Sequence, residues 1–216
     1  MDVIGQLFGW LPAGIQATLV WLTKVTGSAG LGIILLTLII RGALFPLTKK
    51  QTQNMVAMRE LQPKLKALQE KYKNKPEEYQ KRLLELYKQE GVNPLGGCLP
   101  LLIQLPFLYA LFYVLNTYGF EGADPNFLIW NLTERDPYYI LPILSAVTTY
   151  LQSLLTVTDP SQRAILYIMP IFIGWISTQF AAGLVLYWVT SNIFSIGQQY
   201  LLSKGTPSAK GGASAK

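Results

Sequence analysis

The sequence predicts an all-α, polytopic membrane protein with five transmembrane helices, a polar helical hairpin after the first of them, and an amphipathic N-terminal helix. Half of the 216 residues are hydrophobic and only 14% are charged, whereas soluble domains carry about 25% charged residues. Five apolar stretches are long enough to cross a hydrocarbon core of about 30 Å, which takes about 20 helical residues. Charge is concentrated elsewhere, since residues 49–90 hold eleven of the eighteen Lys and Arg residues and six of the twelve Asp and Glu residues.

The predicted spans follow the apolar runs at residues 29–47, 98–117, 138–157, 164–181 and 183–202. The last two are separated only by a short segment around QFAAG, which predicts a tight helical hairpin. The chain therefore divides into an N-terminal segment (1–27), a first transmembrane helix (28–50), a hairpin (51–92), transmembrane helices two to five (93–202) and a tail (203–216). The segments 28–50 and 93–202 are expected to form one core.

The N-terminal segment predicts an amphipathic helix in the outer membrane interface. Apolar side chains recur there at helical spacing, namely Ile4, Leu7, Leu11, Ile15, Leu19 and Leu22. Gly9 and the Pro-Ala-Gly segment 12–14 are expected to divide this helix, and Trp10 and Trp21 favour the membrane interface. A sixth span and a retained signal sequence are the alternatives. A signal peptide would have a basic start, yet Asp2 is the only charge before Lys24.

The hairpin and the tail are both polar. Two apolar seams at coiled-coil-like spacing predict two short antiparallel helices in water; their members are Leu61, Leu65, Leu68 and Tyr72, then Tyr79, Leu83 and Leu86. The turn KNKP separates them, with Asn74 as a candidate N-cap, Pro76 in the first helical turn and Gly91 at the C-terminal stop. The low-complexity tail 203–216 is expected to be disordered.

The orientation follows from the basic residues of the short loops. Residues 49–90 carry eleven basic and six acidic residues, and the tail adds Lys204, Lys210 and Lys216. The loop 118–137 instead has four acidic residues against Arg135 alone. Since cytoplasmic loops are enriched in Lys and Arg, we expect the N-terminus and this acidic loop outside, and the hairpin and C-terminus in the cytoplasm.

Arg41 is the residue that most clearly points to a function. It lies inside the first apolar run, about 18 Å from its start at 1.5 Å per residue, although a charge at the centre of a span costs about 2.5–3.5 kcal/mol. No Asp or Glu lies within any predicted span, so Arg41 has no expected acidic partner there. Snorkelling to headgroups is one explanation. A water-filled cavity open to the cytoplasm is the explanation we favour.

Uncharged polar residues supply the rest of the candidate site. Thr37 precedes Arg41 by one turn on the same helix face, and Pro46 cannot donate to the carbonyl of Gly42. The other spans contribute Gln104, Gln152, Ser153, Ser191, Asn192 and Ser195. Each of these amides and hydroxyls could instead serve only as a contact between helices.

Several classes of function lack their usual residues. The chain has one cysteine and no histidine, which argues against zinc or iron sites and against the commonest general acid and base. Cys98 is expected to be a small packing residue beside two glycines. No P-loop motif is present. The sequence therefore predicts no enzyme, no cofactor, no metal site and no direct recognition of nucleic acid.

Five motifs resemble the YidC/Oxa/Alb membrane protein insertases, and most of all the bacterial branch of that family. They are IIRGALFPLTKKQ (39–51), LQPKLKALQEKY (61–72), NPLGGCLPLLIQLPFLYALF (93–112), DPYYILPIL (136–144) and GLVLYWVTSNIFSIGQQ (183–199). The match runs from about residue 28 to residue 202 in the order and spacing of the family. The chain begins almost at the amphipathic helix, so we expect either a trimmed form or a short N-terminus that is itself translocated.

The resemblance implies a five-helix core around a hydrophilic groove that opens to the cytoplasm and to lipid and is closed at the outer surface. Its single arginine corresponds to Arg41. Family contacts with substrate correspond to Thr37, Arg41, Tyr187 and Trp188, and we assign Gln104, Gln152, Ser191 and Asn192 to the groove by residue type and helix face.

The predicted function is that of an insertase and chaperone for nascent membrane proteins in the bacterial cytoplasmic membrane, acting alone or with the Sec translocon. Nascent membrane proteins and lipids are the expected partners, with the ribosome and the Sec translocon as further candidates, and five spans around one groove are compatible with a monomer. A small anion channel or transporter with Arg41 as its selectivity charge is the alternative. A third hypothesis is an assembly factor that only shelters helices, for which Arg41 would be dispensable.

Overall fold

The computed structural model describes residues 10–92, 99–117, 119–120, 124–156 and 163–205, and these are mostly helical. Cys98, the first nine residues and residues 206–216 of the predicted tail lie outside the described residues. The helices are α1 (Trp10–Thr26), α2 (Ala29–Ala43), α3 (Phe45–Glu60), α4 (Gln62–Lys71), α5 (Pro76–Gln89), α6 (Leu99–Thr117), α7 (Ile140–Thr156), α8 (Arg163–Ser177) and α9 (Ala182–Gly205). One two-stranded antiparallel ribbon, β1 (Asn126–Phe127) and β2 (Trp130–Asn131), accompanies them. The prediction of a helical fold is confirmed, while the ribbon was not predicted.

Helix α1 is amphipathic and packs onto the core through the face that the sequence predicted. Leu11, Ile15, Leu19 and Leu22 are buried, whereas Trp21 on another face is 60% exposed. The expected break at residues 12–14 is wrong for the described part of this segment, because α1 runs without interruption from Trp10. Pro12 falls in the first turn, where its missing N–H has no helical partner to lose.

Helices α2 and α3 replace the continuous first span that was predicted at 28–50. α2 begins at Ser28, whose hydroxyl accepts from the N–H of Leu31, and the chain bends by 66° before α3. Pro46 lies in the first turn of α3; its ring cannot continue α2 because it lacks an N–H and would clash with the preceding turn. By length and hydropathy no single helix in the described ranges qualifies as a membrane span, but α2 and α3 taken together do. The five-span count therefore stays a prediction.

Helix α9 lies at the centre of the assembly. It packs against α7 and α2 most extensively and also contacts α3 and α6. Val185, Tyr187 and Val189 of α9 are all at most 5% exposed, and they join Leu111 and Val114 of α6 in one continuous apolar core. α1 closes this core by packing on α2 and α6.

Helix α8 packs along α7, which differs from the predicted hairpin of the last two spans. The connection from α8 to α9 is short, but the extensive contact of α8 is with α7. Small groups allow this approach: the Oγ atoms of Ser145 and Ser177 lie 2.9 Å apart and are hydrogen-bonded, and a Cβ on Gly174 would stand 2.9 Å from the Cβ of Ala146. Small residues at helix contacts are typical of membrane proteins.

The acidic loop covers the N-terminal end of α9. The carbonyl oxygens of Glu134 and Leu132 accept from the N–H groups of Ala182 and Gly183 at 2.6 and 2.9 Å, which satisfies donors that a helix start leaves unpaired. The ring of Phe127 in β1 lies against α2, at a place where only a glycine, Gly30, leaves room for it. This end of the molecule is thus filled by loop backbone and an aromatic ring.

Helices α4 and α5 contact each other, while the predicted hairpin in water stays a prediction. Lys64 at the start of α4 forms an ion pair with Glu90 at the end of α5. Gly91 adopts a positive φ of 64°, and its N–H and that of the next residue bond back to Lys88 and Tyr87, which is a Schellman stop. Asn74 is not the cap: that position belongs to Lys75, whose side chain makes no cap hydrogen bond.

Candidate functional site

A polar cavity of about 270 Å³ lies between α2, α3, α6, α7, α8 and α9; we call it the Arg41 cavity. It is lined by Arg41, Thr48, Gln51, Thr52, Met55, Gln104, Thr149, Gln152, Ser153, Thr156, Met169, Ile173, Trp188, Ser191, Asn192, Ser195, Gln198 and Gln199. Thirteen of these eighteen residues carry a hydroxyl or an amide. Arg41 is the only charged residue among those that line it in the described part of the chain.

Arg41 is held by neutral partners from two other helices. It lies in the last turn of α2, three residues before the bend. Its Nε donates to Ser191 Oγ of α9 at 2.8 Å, and its Nη2 donates to the same hydroxyl and to Gln104 Oε1 of α6 at 3.1 Å. No described carboxylate forms an ion pair with Arg41. Because hydroxyls and amides do not neutralise a cation, the positive charge stays available to a visiting anion or carbonyl.

Gln104 extends this network away from the cavity. Its Nε2 donates to Tyr187 Oη at 2.6 Å, and Tyr187 is only 2% exposed in the apolar core. A buried tyrosine hydroxyl usually has a hydrogen-bond partner. Because Tyr187 accepts from Nε2, the Gln104 amide is oriented with its oxygen toward Arg41. Tyr187 therefore orients the cavity wall from behind.

Helix α7 and helix α9 meet along a line of hydroxyl and amide contacts. Trp188 Nε1 donates to Thr149 Oγ1 at 3.1 Å, and Asn192 Nδ2 donates to Thr149 Oγ1 at 3.0 Å and to Thr148 Oγ1 at 3.2 Å. Trp188 is partly exposed at the cavity, whereas Asn192 is 4% exposed. These bonds hold the indole and the amide in fixed orientations on the cavity wall.

Helix α3 forms the side of the cavity that follows the bend. Gln51, Thr52 and Met55 are each at most 7% exposed, although they belong to the stretch that the sequence assigned to a hairpin in water. Two hydrogen bonds tie α3 to the core. Gln198 Nε2 donates to Thr48 Oγ1 at 2.5 Å, and Arg59 Nη2 donates to the carbonyls of Leu154 and Leu155 at 2.9 and 2.7 Å.

The charges outside the cavity are arranged differently from Arg41. On the hairpin, basic side chains pair with acidic ones, as in Lys64–Glu90 and Arg82–Glu85. The hydrogen bond to Glu85 raises the pKa of the Arg82 guanidinium. No cluster of His, Cys, Asp and Glu that could hold a metal ion occurs within the described ranges. The cavity can therefore bind by hydrogen bonds and charge, and it presents no nucleophile paired with a base.

Six of the eight predicted site residues line the Arg41 cavity: Arg41, Gln104, Gln152, Trp188, Ser191 and Asn192. The other two do not. Thr37 is fully buried and donates to the carbonyl of Ile33 at 2.7 Å, and Tyr187 reaches the cavity only through Gln104.

Sequence reasoning missed two groups of lining residues. The first is the inner face of α3, including Thr48, Gln51 and Thr52, and the second is Thr149 of α7 together with the glutamine pair 198–199. The spacing of Thr48, Thr52 and Met55 over two turns was a usable signal for a buried face of α3. The two glutamines carried no comparable signal, because they lie in the last five residues of the last apolar run (183–202), where a span approaches the polar interface.

Comparison with known proteins identifies close relatives. The family model of the 60Kd inner membrane protein matches residues 21–209. A protein of Wolinella succinogenes named membrane protein insertase YidC is 45% identical over 200 residues, which are 91% of this chain. Proteins of the same name from Caldanaerobacter subterraneus subsp. tengcongensis and Helicobacter pylori are 42% identical over 86% of this chain and 41% identical over 94% of it.

These relatives differ in length. The chain spans 37% of the Wolinella protein and 38% of the Helicobacter protein, but 90% of the Caldanaerobacter protein. A solved structure described as an active YidC insertase with its first transmembrane domain resolved is also similar. The match has a TM-score of 0.72 at 32% identity and covers 89% of this chain and 46% of that one.

Proposed function

The chain belongs to the family of the 60Kd inner membrane protein, whose members include proteins named membrane protein insertase YidC, and we propose that it inserts nascent membrane proteins into the bacterial cytoplasmic membrane. The family predicted from the sequence motifs is confirmed. As a member of this family the chain is a bacterial membrane protein. The observation that carries the proposed activity is the Arg41 guanidinium, held only by neutral partners inside a polar cavity.

We propose that α2 with the start of α3, and then α6, α7, α8 and α9, are the five transmembrane elements. Their outward faces are apolar, as in Ile143 of α7 at 60% exposure, Ile171 of α8 at 73% and Leu105 of α6 at 50%. Contiguous apolar surface of this kind marks a contact with lipid or with another protein. The exposed Trp10 and Trp21 support an interfacial position for α1.

The proposed orientation puts the acidic loop outside and the hairpin in the cytoplasm. The excess of Lys and Arg at residues 49–90 supports it. The covering of α9 by Leu132 and Glu134, together with the ring of Phe127 on Gly30, supports a core that is closed at the outer surface. In this orientation Arg41 lies on the cytoplasmic side of the closed outer end, near the bend.

The proposed mechanism is non-covalent. A polar segment of a client enters the Arg41 cavity from the cytoplasm, so it crosses only part of the hydrocarbon without its hydration shell. Arg41 attracts carboxylates or backbone carbonyls of that segment by a charge-assisted hydrogen bond. The apolar segment of the client then moves into lipid, driven by burial of its surface.

We propose nascent membrane proteins and lipids as the partners, and a single copy as the working unit. The basic hairpin, with α4 and α5 held by Lys64 and Glu90, is the surface we assign to the ribosome or to the Sec translocon. The residues of α4 and α5 lie at the surface, since none of them is buried.

The test is insertion of a single-spanning client into proteoliposomes by the unmodified chain, Arg41→Ala and Arg41→Lys. Two versions of the client differ only in whether the translocated tail is acidic or neutral. We expect Arg41→Ala to slow insertion of the acidic client about tenfold or more, because a charge-assisted contact of about 1.5–3 kcal/mol is lost. Arg41→Lys keeps the charge but loses the fork of donors, so an intermediate rate is expected.

Two outcomes would contradict the proposal. Normal insertion of both clients by both variants would show that Arg41 has no role in insertion. The second outcome concerns ion flux through proteoliposomes to which no client is added. If the unmodified chain conducts ions but inserts no client, and Arg41→Ala abolishes the flux, the chain is an anion channel instead.

A further inference from the structure

Two amide atoms on the wall of the Arg41 cavity have no hydrogen-bond partner among the described residues. They are Nε2 of Gln51 on α3 and Oε1 of Gln199 on α9, and both are fully shielded by surrounding atoms. Gln51 as a whole is only 5% exposed. Both residues line the cavity, so rotation of either side-chain amide would turn its unpaired atom toward a polar group that enters.

The unpaired state of these two atoms sets them apart from three other amides of the cavity. Gln104, Asn192 and Gln198 each donate to a hydroxyl of a neighbouring helix. A buried polar group without a partner destabilises a fold, and native proteins leave few such groups unless a ligand or a functional role explains them. Gln51 and Gln199 are therefore candidates for contact with a ligand.

The chemistry of the pair fits one kind of ligand. Gln51 Nε2 is a donor and Gln199 Oε1 is an acceptor, and a peptide group carries one acceptor and one donor. Neither atom is charged, and these two residues have no carboxylate or ammonium beside them in the lining of the cavity. Recognition here would be the same for every client sequence, whereas recognition at Arg41 depends on client charge.

We infer that Gln51 and Gln199 supply further contacts in the Arg41 cavity, Gln51 to a backbone carbonyl and Gln199 to a backbone N–H of the client segment. This inference rests on the proposed insertase function and deepens it. Arg41 draws the segment in by charge, and the glutamine pair holds its main chain on the α3 side of the cavity. A desolvated peptide group needs such partners because no water replaces them in hydrocarbon.

The experiment measures insertion of the acidic and the neutral client by Gln51→Met and Gln199→Met in proteoliposomes. Methionine keeps the length of glutamine without its donor or acceptor. We expect each variant to slow insertion of both clients by the same factor, about threefold to tenfold, as one lost hydrogen bond predicts. The thermal midpoint of Gln51→Met should equal or exceed that of the unmodified chain, because an unpaired buried atom has been removed.

Gln53→Met is the matched control, since Gln53 lies on the same helix but is exposed and outside the cavity; it should insert normally. Normal insertion by both cavity variants would overturn the inference. Slower insertion of the acidic client alone would also overturn it, and so would a fall in thermal midpoint that parallels the loss of insertion rate. An effect that depends on the lipid headgroup would assign these contacts to lipid and would also overturn it. If the unmodified chain inserts neither client, the proposed function fails, and this inference fails with it.

Discussion

Arg41 Nε donates a 2.8 Å hydrogen bond to Ser191 Oγ, across 150 positions of the sequence. The contact joins the last turn of α2 to the middle of α9, the two helices that also pack extensively on each other. A second donor of Arg41 reaches Gln104 of α6 at 3.1 Å. Three helices are therefore joined at the one charged group of the cavity, so the position of that charge depends on the packing of the whole core.

Ser191→Ala should loosen this junction. The variant removes the hydroxyl that accepts from both Nε and Nη2 of Arg41, and a buried donor that loses its partner costs about 1–3 kcal/mol. We expect the thermal midpoint in nanodiscs to fall by about 2–8 °C. Ser195→Ala is the matched control, because the Ser195 hydroxyl donates only to the backbone carbonyl of Ser191 in its own helix. An equal fall in both variants would contradict the assigned role of Ser191.

Gly30→Ala should displace the ribbon from α2. A Cβ at position 30 would stand 2.0 Å from Cγ of Phe127, so the ring must move, and overpacking of this kind costs about 1–3 kcal/mol. Thermal unfolding should show this loss, and the double variant Gly30→Ala, Phe127→Ala should lose less than the sum of the two single changes. Gly42→Ala on the same helix has nothing within 4 Å of its Cβ and should be neutral or slightly stabilising. Strict additivity in the double variant would exclude the proposed clash.

Arg59→Gln should release α3 from the core. Arg59 donates to the carbonyls of Leu154 and Leu155 in the last turn of α7, where a cation stabilises the helix end by about 0.5–1 kcal/mol. Amide hydrogen exchange should become faster in α3 and in the last turn of α7, with little change in α1 and α6. Arg82→Gln, which breaks the exposed pair with Glu85 and a contact with Tyr72 within the hairpin, should leave the exchange of α3 unchanged. Equal exchange in α3 for both variants would show that Arg59 does not anchor it.

The sequence was most informative where a residue type conflicts with its surroundings. Arg41 stands out because a permanent charge in an apolar run is costly, and the absence of acidic residues from the spans indicates neutral partners. The identity of those partners could not be derived with the same certainty. Ser191 and Gln104 were two of several polar residues of the spans, and only helix packing brings them to Arg41.

The boundary between core and hairpin was less predictable. Pro46 was expected to free the carbonyl of Gly42 within one span, but it instead lies in the first turn of a new helix after a bend of 66°. As a result the polar residues after Lys50 turn inward onto the cavity rather than outward into water. The polarity of Gln51 and Thr52 argues for exposure in a soluble hairpin, yet it equally suits a polar cavity wall. Composition alone cannot separate these two environments.

The amino-acid sequence by itself determined the helical class and the family, and it predicted the polar hairpin and a role for Arg41, because these follow from local composition, spacing and the cost of charge in an apolar segment. Only the tertiary structure decided which side chains surround Arg41, that Thr37 and Tyr187 stay in the apolar core, and that α3 closes one side of the cavity. The physical reason is that a cavity is formed by faces of helices distant in sequence. Close packing at small residues such as Gly30 and Gly174, and bends such as the one before Pro46, decide which faces meet. No local sequence pattern encodes the combined geometry of these contacts and bends.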